Sequence, residues 1–386
     1  MEPARRLNGI EEYYFSKKLR QIEELNKEGM DVINLGIGSP DLPPHATVID
    51  TLAHEAIKPG QHAYQSYKGH TILRSAMARW YKEWYDVVLD PATEILPLIG
   101  SKEGIMHVCM TFLNEGDQVL IPNPGYPTYR SVATLAGASC IEYYLSERNG
   151  WFPDFEAMEK MDLTKTKLMF VNYPHMPTGQ LPTKQLFIDL ISFARKHQIL
   201  ICHDNPYSFI LNPTPMSMLG IEGAKEVVIE LNSLSKSHNM AGWRVGMLVG
   251  KEEFITQIMR FKSNMDSGMF LPVQLAAAKA LELGSYWFHD LNEIYRARRL
   301  KMFTLLNSLN CSFDTGQAGM FVWAKISPEF KNSYQFSDEI LEKSNVFLTP
   351  GSIFGSEGDS FIRASLCTKE ERIVVAIERI KKGNNL

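Results

Sequence analysis

Between Glu94 and Gly250, short apolar runs alternate with longer amphipathic ones, and this rhythm narrows the possible folds more than any other feature. EILPLIG precedes SKEGIMHVCMTFL. QVLIPNP follows, then KLMFVNYP before KQLFIDLISFARKHQ, then ILICHDNP, VVIELNSLS and VGMLVG. Apolar runs with β-branched residues suit strands buried on both faces, and the periodic segments between them suit helices. The alternation predicts an α/β fold whose parallel or mostly parallel sheet is covered on both sides.

The last third changes character. Residues 286–309 read as one long helix, GMFVWAKI and DSFIRASL as strands, and KEERIVVAIERIKK as a closing helix. This is an α+β unit of its own, with a boundary near residue 285. The first 45 residues lack the βα rhythm and are expected to pack with it. At 386 residues the chain also exceeds a single core of usual size. The expected division is a large domain over 46–284 and a small one built from 1–45 and 285–386.

A net charge of −4 argues against nucleic acid or an anionic membrane as partner. No apolar run reaches the roughly 18 residues that span a bilayer, and MEPARRLNGIEEYYF has no apolar core for a secretory signal. The five cysteines have no metal-ligand or CxxC spacing and suit a reducing, cytoplasmic setting. His203 beside Asp204 is not joined by another ligand motif, so no metal site is expected.

In open α/β sheets, ligands sit beyond the carboxyl ends of the strands. Gly100-Ser101-Lys102, Tyr126, Asp204 and the Ser233–Lys236 segment all follow predicted strands. A Gly-Ser turn opening a helix suits a phosphate. Ser233, Ser235 and Arg244 add hydroxyls and a guanidinium for the same anion. Tyr126 offers an aromatic face, Asp204 a carboxylate, Tyr207 a phenol, and Lys236 a nucleophilic amine. A phosphate, an aromatic ring, a ring nitrogen that needs a carboxylate and an aldehyde that needs an amine together describe pyridoxal 5′-phosphate.

The motifs GIGSPD (36–41), Tyr64 ahead of Lys68-Gly69, GSKEGI (100–105), NPGYPTY (123–129), PTG (177–179), DNPY (204–207), SLSKS (233–237), GWRVG (242–246) and FIRASL (361–366) occur in one order. In this order they resemble the class I/II, fold-type I, pyridoxal-phosphate-dependent aminotransferases over almost the full chain. KSNMDSG (262–268) and the early YYF resemble the branch holding alanine and LL-diaminopimelate aminotransferases.

The resemblance implies a large domain with a seven-stranded, mostly parallel sheet. It implies that Lys236 bonds the cofactor as an imine and that Asp204 keeps the pyridine nitrogen protonated. Tyr207 would bind the ring's phenolic oxygen and Tyr126 would stack on the ring. Ser101, Lys102, Ser233, Ser235 and Arg244 would hold its phosphate. Arg363 would grip the substrate α-carboxylate, with the backbone at Gly38 close by. Tyr64 would reach the phosphate in a partner subunit, making a homodimer with shared sites. The implied reaction is ping-pong amino transfer between an L-amino acid and a 2-oxo acid.

One position departs from the family. The usual Asn-Pro-Thr-Gly, whose asparagine contacts the phenolic oxygen and the substrate carboxylate, is here YPHMPTG, with Met176 in its place. Methionine cannot donate as an amide does. Either Tyr207 with His175 or a water takes over, or the site is tuned differently. Tyr13, Tyr14 and His175 are candidates for the side-chain pocket. A β-eliminating C–S lyase on the same fold, or a non-catalytic regulatory protein, are the alternatives.

Overall fold

The structure, a computed structural model, describes residues 2–10, 12 and 14–383. Tyr13 lies outside the described residues. Twelve strands occur among them: β1 Ile33–Asn34, β2 Ile95–Leu98, β3 Gln118–Asn123, β4 Ser139–Tyr144, β5 Thr166–Val171, β6 Leu200–Asp204, β7 Val228–Ser233, β8 Gly246–Gly250, β9 Phe321–Lys325, β10 Val346–Phe347, β11 Thr349–Pro350 and β12 Phe361–Ser365.

β2 to β8 form one seven-stranded sheet in the order β2-β8-β7-β6-β5-β3-β4. Only β8 runs antiparallel to its neighbours, β2 and β7. The sheet is therefore mostly parallel, as the alternation predicted. β2, β7 and β8 are buried along their whole length, which is why they read as unbroken apolar runs. β4, at the sheet edge, is largely half-buried or exposed. It has no such run and escaped the sequence reading.

Helices cover both faces. On one face, Ser101–Phe112, Pro127–Leu135 and Glu252–Lys262 bring Ile105, Val108, Val132 and Ile258 against Leu98, Ile121, Phe170 and Leu231. On the other, Thr71–Tyr85, Lys184–His197 and Leu271–Leu281 bring Leu73, Trp80, Phe187 and Ala276 against Leu120, Met169, Ile201 and Met247.

A second, antiparallel sheet, β11-β12-β9, carries a separate apolar cluster with the helices Ser285–Ser308 and Glu370–Gly383. Phe15, Ile33 and Leu35 join that cluster. β1 pairs in parallel with β10, Ile33 opposite Val346. Among the described residues, no helix is long and apolar enough to cross a membrane.

Candidate active site

The five strands β2, β3, β5, β6 and β7 point their carboxyl ends to one edge of the large sheet, and the antiparallel β8 begins there. β2 ends at Leu98, and the helix that opens at Ser101 follows Gly100, whose φ of +82° suits only glycine comfortably. β7 ends at Ser233, whose Oγ accepts from Ser235 N at 3.1 Å and caps the short helix Leu234–Ser237 carrying Lys236. Gly246, the first residue of β8, lies opposite both Leu98 and Ser233. Arg244 is thereby returned to the same edge.

Two glycines allow this convergence. A methyl group at Gly100 would overlap the Arg244 guanidinium, and one at Gly246 would sit 2.6 Å from Ser101 N. Arg244 Nη1 donates to Ala241 O at 2.7 Å and lies 3.5 Å from Ser235 Oγ. A helix start, two serine hydroxyls and a guanidinium thus surround one point, which suits a dianion.

Asp204 closes the buried end. Tyr129 OH donates to Oδ2 at 2.8 Å, and Asn172 Nδ2 donates to the Asp204 backbone carbonyl at 2.6 Å. Oδ1 is buried with no partner. Burial pushes the carboxyl up to about 6, against the opposing pull of the Tyr129 hydrogen bond and His203. Tyr129 is fixed by stacking on Phe170 at 4.6 Å, and Tyr126 meets it edge-on at 5.5 Å.

Lys236 Nζ donates to Gly38 O at 2.6 Å. Burial lowers its proton affinity; Arg363 and Arg244 push the same way, and Cys367 opposes them. Arg363, on β12, donates from Nη2 to Gly36 O at 2.9 Å, and its Nη1 lies 3.3 Å from Met176 Sδ. The rings of Phe321, Phe354 and Phe15 stand 3.9, 4.8 and 5.3 Å from its guanidinium carbon. A methyl group at Gly38 would overlap the Phe321 ring. Tyr207 meets Phe321 edge-on at 5.9 Å, and burial raises its phenol well above the ordinary range.

One cavity of about 460 Å³ collects Gly38, Ser101, Lys102, Tyr126, Met176, Asp204, Tyr207, Ser233, Ser235, Lys236, Arg244 and Arg363. Tyr64 is not in its wall; it is 91% exposed. Two pocket candidates are corrected. Tyr14 turns toward Phe15 and Tyr334, while Phe15, Ser16 and Leu19 of the same helix line the cavity. His175 is buried outside the wall, with Nδ1 2.8 Å from Thr178 Oγ1 and its proton affinity lowered by burial to about 3. It does not stand in for the missing asparagine.

His203 faces away from the cavity, between Glu230 Oε2 at 2.8 Å and Tyr173 O at 3.0 Å. Elsewhere, Glu103, His107 and Asp266 place ligand atoms within 4.8 Å of one another, but the buried Lys262 ammonium already meets Asp266 at 2.5 Å.

A family model described as aminotransferase class I and II matches residues 30–380. The chain belongs to the class I and II aminotransferase family. It is 40% identical, over all of its length and 99% of the relative's, to an LL-diaminopimelate aminotransferase of Halothermothrix orenii. A second LL-diaminopimelate aminotransferase, of Dehalococcoides mccartyi, is 40% identical over 98% of both chains. Substrate-bound BacF of Bacillus subtilis superposes with a TM-score of 0.94 at 36% identity, covering 99% of this chain and 98% of that one. An aminotransferase of Staphylococcus aureus superposes with a TM-score of 0.89 at 28% identity, over 98% of both chains. The chain is therefore an aminotransferase with the fold of that family, and none of these relatives is named a lyase or a regulator.

Tyr129 and Asn172, which line the cavity and bond to Asp204, are two residues that sequence reasoning missed. Tyr129 stands in NPGYPTY, but its partner Asp204 lies 75 positions on. Removing its hydroxyl leaves a buried carboxylate oxygen unpaired, a loss of roughly 1.5–3 kcal/mol. Tyr129→Phe is expected to lower kcat/KM about 10- to 100-fold and to move the acid limb of the pH–rate profile upward. Steady-state kinetics across pH, with circular dichroism to confirm folding, checks it.

Proposed function

We propose that this aminotransferase exchanges an amino group between an L-amino acid and a 2-oxo acid by a ping-pong route, with pyridoxal 5′-phosphate in the 460 Å³ cavity. The observation that carries the reading is a buried, partnerless Asp204 Oδ1 sharing one cavity with the half-buried amine of Lys236, whose proton affinity is lowered. The donor set fits the cofactor. Ser101, Lys102, Ser233, Ser235 and Arg244 suit its phosphate, Asp204 Oδ1 its ring N–H, Tyr126 its face and Tyr207 its phenolic oxygen.

When bound, the cofactor supplies an aldehyde carbon for amines and a ring that takes up the electron pair left at the substrate Cα. The chain's own residues do the rest. Lys236 Nζ, its proton affinity lowered by burial, acts as nucleophile and then carries the proton away from Cα. Asp204 Oδ1, buried and without a partner, would accept the cofactor's ring N–H and so favour the protonated ring. Arg363 orients the α-carboxylate with two parallel donors, and the three rings around it keep water out.

We assign 46–284 to a large cofactor-binding domain, and 1–45 with 285–386 to a small one carrying Arg363. A two-fold homodimer would let Tyr64 reach the phosphate of the partner's cofactor. The exposure of Tyr64, Tyr67, Met265 and Phe270 supports this, and their segments adjoin: the His62 and Phe270 rings lie 5.7 Å apart. Five free, mostly buried thiols support a cytoplasmic setting. The names of the relatives make LL-diaminopimelate one candidate donor.

Two measurements test the reaction. Borohydride reduction of the cofactor-loaded protein should place the cofactor's mass on the Lys236 peptide. An amino acid mixed with a 2-oxo acid should give the exchanged pair with no free ammonia. Pyruvate and ammonia released from cysteine-type donors without an acceptor would mark the lyase instead.

Met176 Sδ sits against Arg363 where the family places an amide. The thioether is a weak acceptor and donates nothing, so Tyr207 is the remaining side-chain donor for the phenolic oxygen. Met176→Asn is therefore expected to keep kcat/KM within about threefold of the parent, a change below 1 kcal/mol. A loss beyond tenfold would show that the sulfur itself takes part.

A further inference from the structure

We infer that His203, held as an imidazolium by Glu230, is a positioning residue that acts through Asp204 and keeps its carboxylate ionised at the buried end of the cavity. The inference rests on the reading above, in which Asp204 accepts the cofactor's ring N–H.

Hydrogen-bond partners fix the charges. Glu230, on β7, is fully buried. Its Oε1 accepts from Tyr81 OH at 2.9 Å, and its Oε2 accepts from Ser217 Oγ at 2.9 Å and from Met218 N at 3.1 Å. A carboxyl group that takes up so many donors is held in its ionised form. His203 Nδ1, 2.8 Å from the same Oε2, therefore faces an acceptor, and Nε2 faces the Tyr173 carbonyl oxygen at 3.0 Å. Both nitrogens donate, and a histidine that donates from both is a cation. His203 and Glu230 are both 0% exposed, and the Phe187 ring meets the imidazole edge-on at 5.2 Å. The pair and its partners thus belong to the interior of a single chain.

Sheet register decides where that charge acts. His203 lies opposite Glu230 across β6 and β7, and Asp204 lies opposite Leu231. Successive side chains of a strand point to opposite faces. The imidazolium therefore stands behind the sheet while the next side chain, Asp204, faces the cavity. Burial drives Asp204 toward its neutral form, and the Tyr129 hydroxyl on the cavity side and His203 behind the strand oppose it. The Cys202 thiol and the phenols of Tyr129 and Tyr207 are pushed up by burial and stay neutral. Lys102, Lys236, Arg244 and Arg363 share the cavity, which substrate and water enter. The imidazolium is reached by neither, so its pull on Asp204 is not screened. An ionised Asp204 is a charge-assisted acceptor for a ring N–H, and a neutral one is not.

Titration of Asp204 tests this. The cofactor-stripped protein carries isotopically labelled aspartate carboxyls followed by NMR, and Asp204→Asn identifies the signal. His203→Gln is expected to raise the Asp204 midpoint from about 6 by about one pH unit. Glu230→Gln, which lets the ring give up its charge, should raise it by a similar amount, and the double variant by no more than either alone. His203→Lys, which restores a cation, should bring the midpoint back toward the parent. In the cofactor-loaded protein, His203→Gln should move the acid limb of kcat to higher pH while the donor KM stays within about twofold, because Arg363 is untouched. A midpoint that stays within about 0.3 pH unit in His203→Gln, or that falls in Glu230→Gln, would overturn the inference, whatever either variant does to the melting temperature. Should His203→Gln fail to fold, the direction of the Glu230→Gln shift decides. A raised midpoint in variants of a parent that transfers no amino group leaves the His203 assignment standing and removes the reaction.

Discussion

Lys236→Ala is expected to lower amino transfer by at least about 10⁴-fold, the largest effect of any single change in this chain. The side chain combines three conditions that no neighbour reproduces together. It is half-buried and desolvated, so its amine is freed of its proton more easily than an ordinary lysine. It stands on a four-residue helix capped by Ser233, so its place is fixed by the end of β7. Its amine donates to Gly38 O at 2.6 Å, a contact that a rotation of the side chain releases. Lys102 shares the cavity but stands in the first turn of the helix Ser101–Phe112, on another element. Single-turnover absorbance should show no proton removal from the donor, borohydride should leave no cofactor mass on the peptide, and added methylamine should restore part of the rate. A variant with more than about 1% of parental turnover would refute the assignment.

Asp204→Asn is expected to lower turnover by about 10²- to 10³-fold, as one charge-assisted hydrogen bond to the ring nitrogen becomes a neutral one. Its effect on stability should have the opposite sign. The folded carboxyl titrates near 6, against 3.8 in its ordinary state. Between those values the folded chain holds a proton that the unfolded chain has lost. Folding is therefore favoured as pH falls from about 6 to 4 and disfavoured as pH rises through 6. Above that window the penalty is roughly 3 kcal/mol, at ~1.4 kcal/mol per pH unit. Asparagine carries no such penalty. The cofactor-stripped variant should melt several degrees higher than the parent at pH 8, and the two should converge toward pH 4. A variant that melts lower at pH 8 would show that the ionised carboxylate is not held at an energetic cost.

The opposed signs describe a site paid for in stability, and they explain which parts of it could be read in the sequence. Lys236, Asp204, Arg244 and Arg363 sit in short motifs whose composition announces a charge at a strand end. Tyr129 and Asn172 do not. They meet Asp204 because β3 and β6 both flank β5, and strand order is not written in any local pattern. The pocket wall was missed by one residue. Phe15, Leu19 and Ile22 follow helical spacing, and Phe15 and Ile22 are buried, whereas Tyr14 is turned a third of a revolution away toward Tyr334. His175 misled because it adjoins Met176 in sequence, yet the turn directs its ring to Thr178. β4 was missed because a half-buried edge has no continuous apolar run.

The pairing of Ile33 with Val346, and of Arg363 with Gly36 O 327 positions away, sets an order of assembly. During synthesis the segment that walls the cavity leaves the ribosome first, and its partners leave last. At roughly 5–20 residues per second the nascent chain waits tens of seconds for them. The large sheet can form in that interval, because β2 to β8 are all made by residue 250. Competence for catalysis therefore arrives only with the final strand, and a truncated chain is born with a floor and no roof.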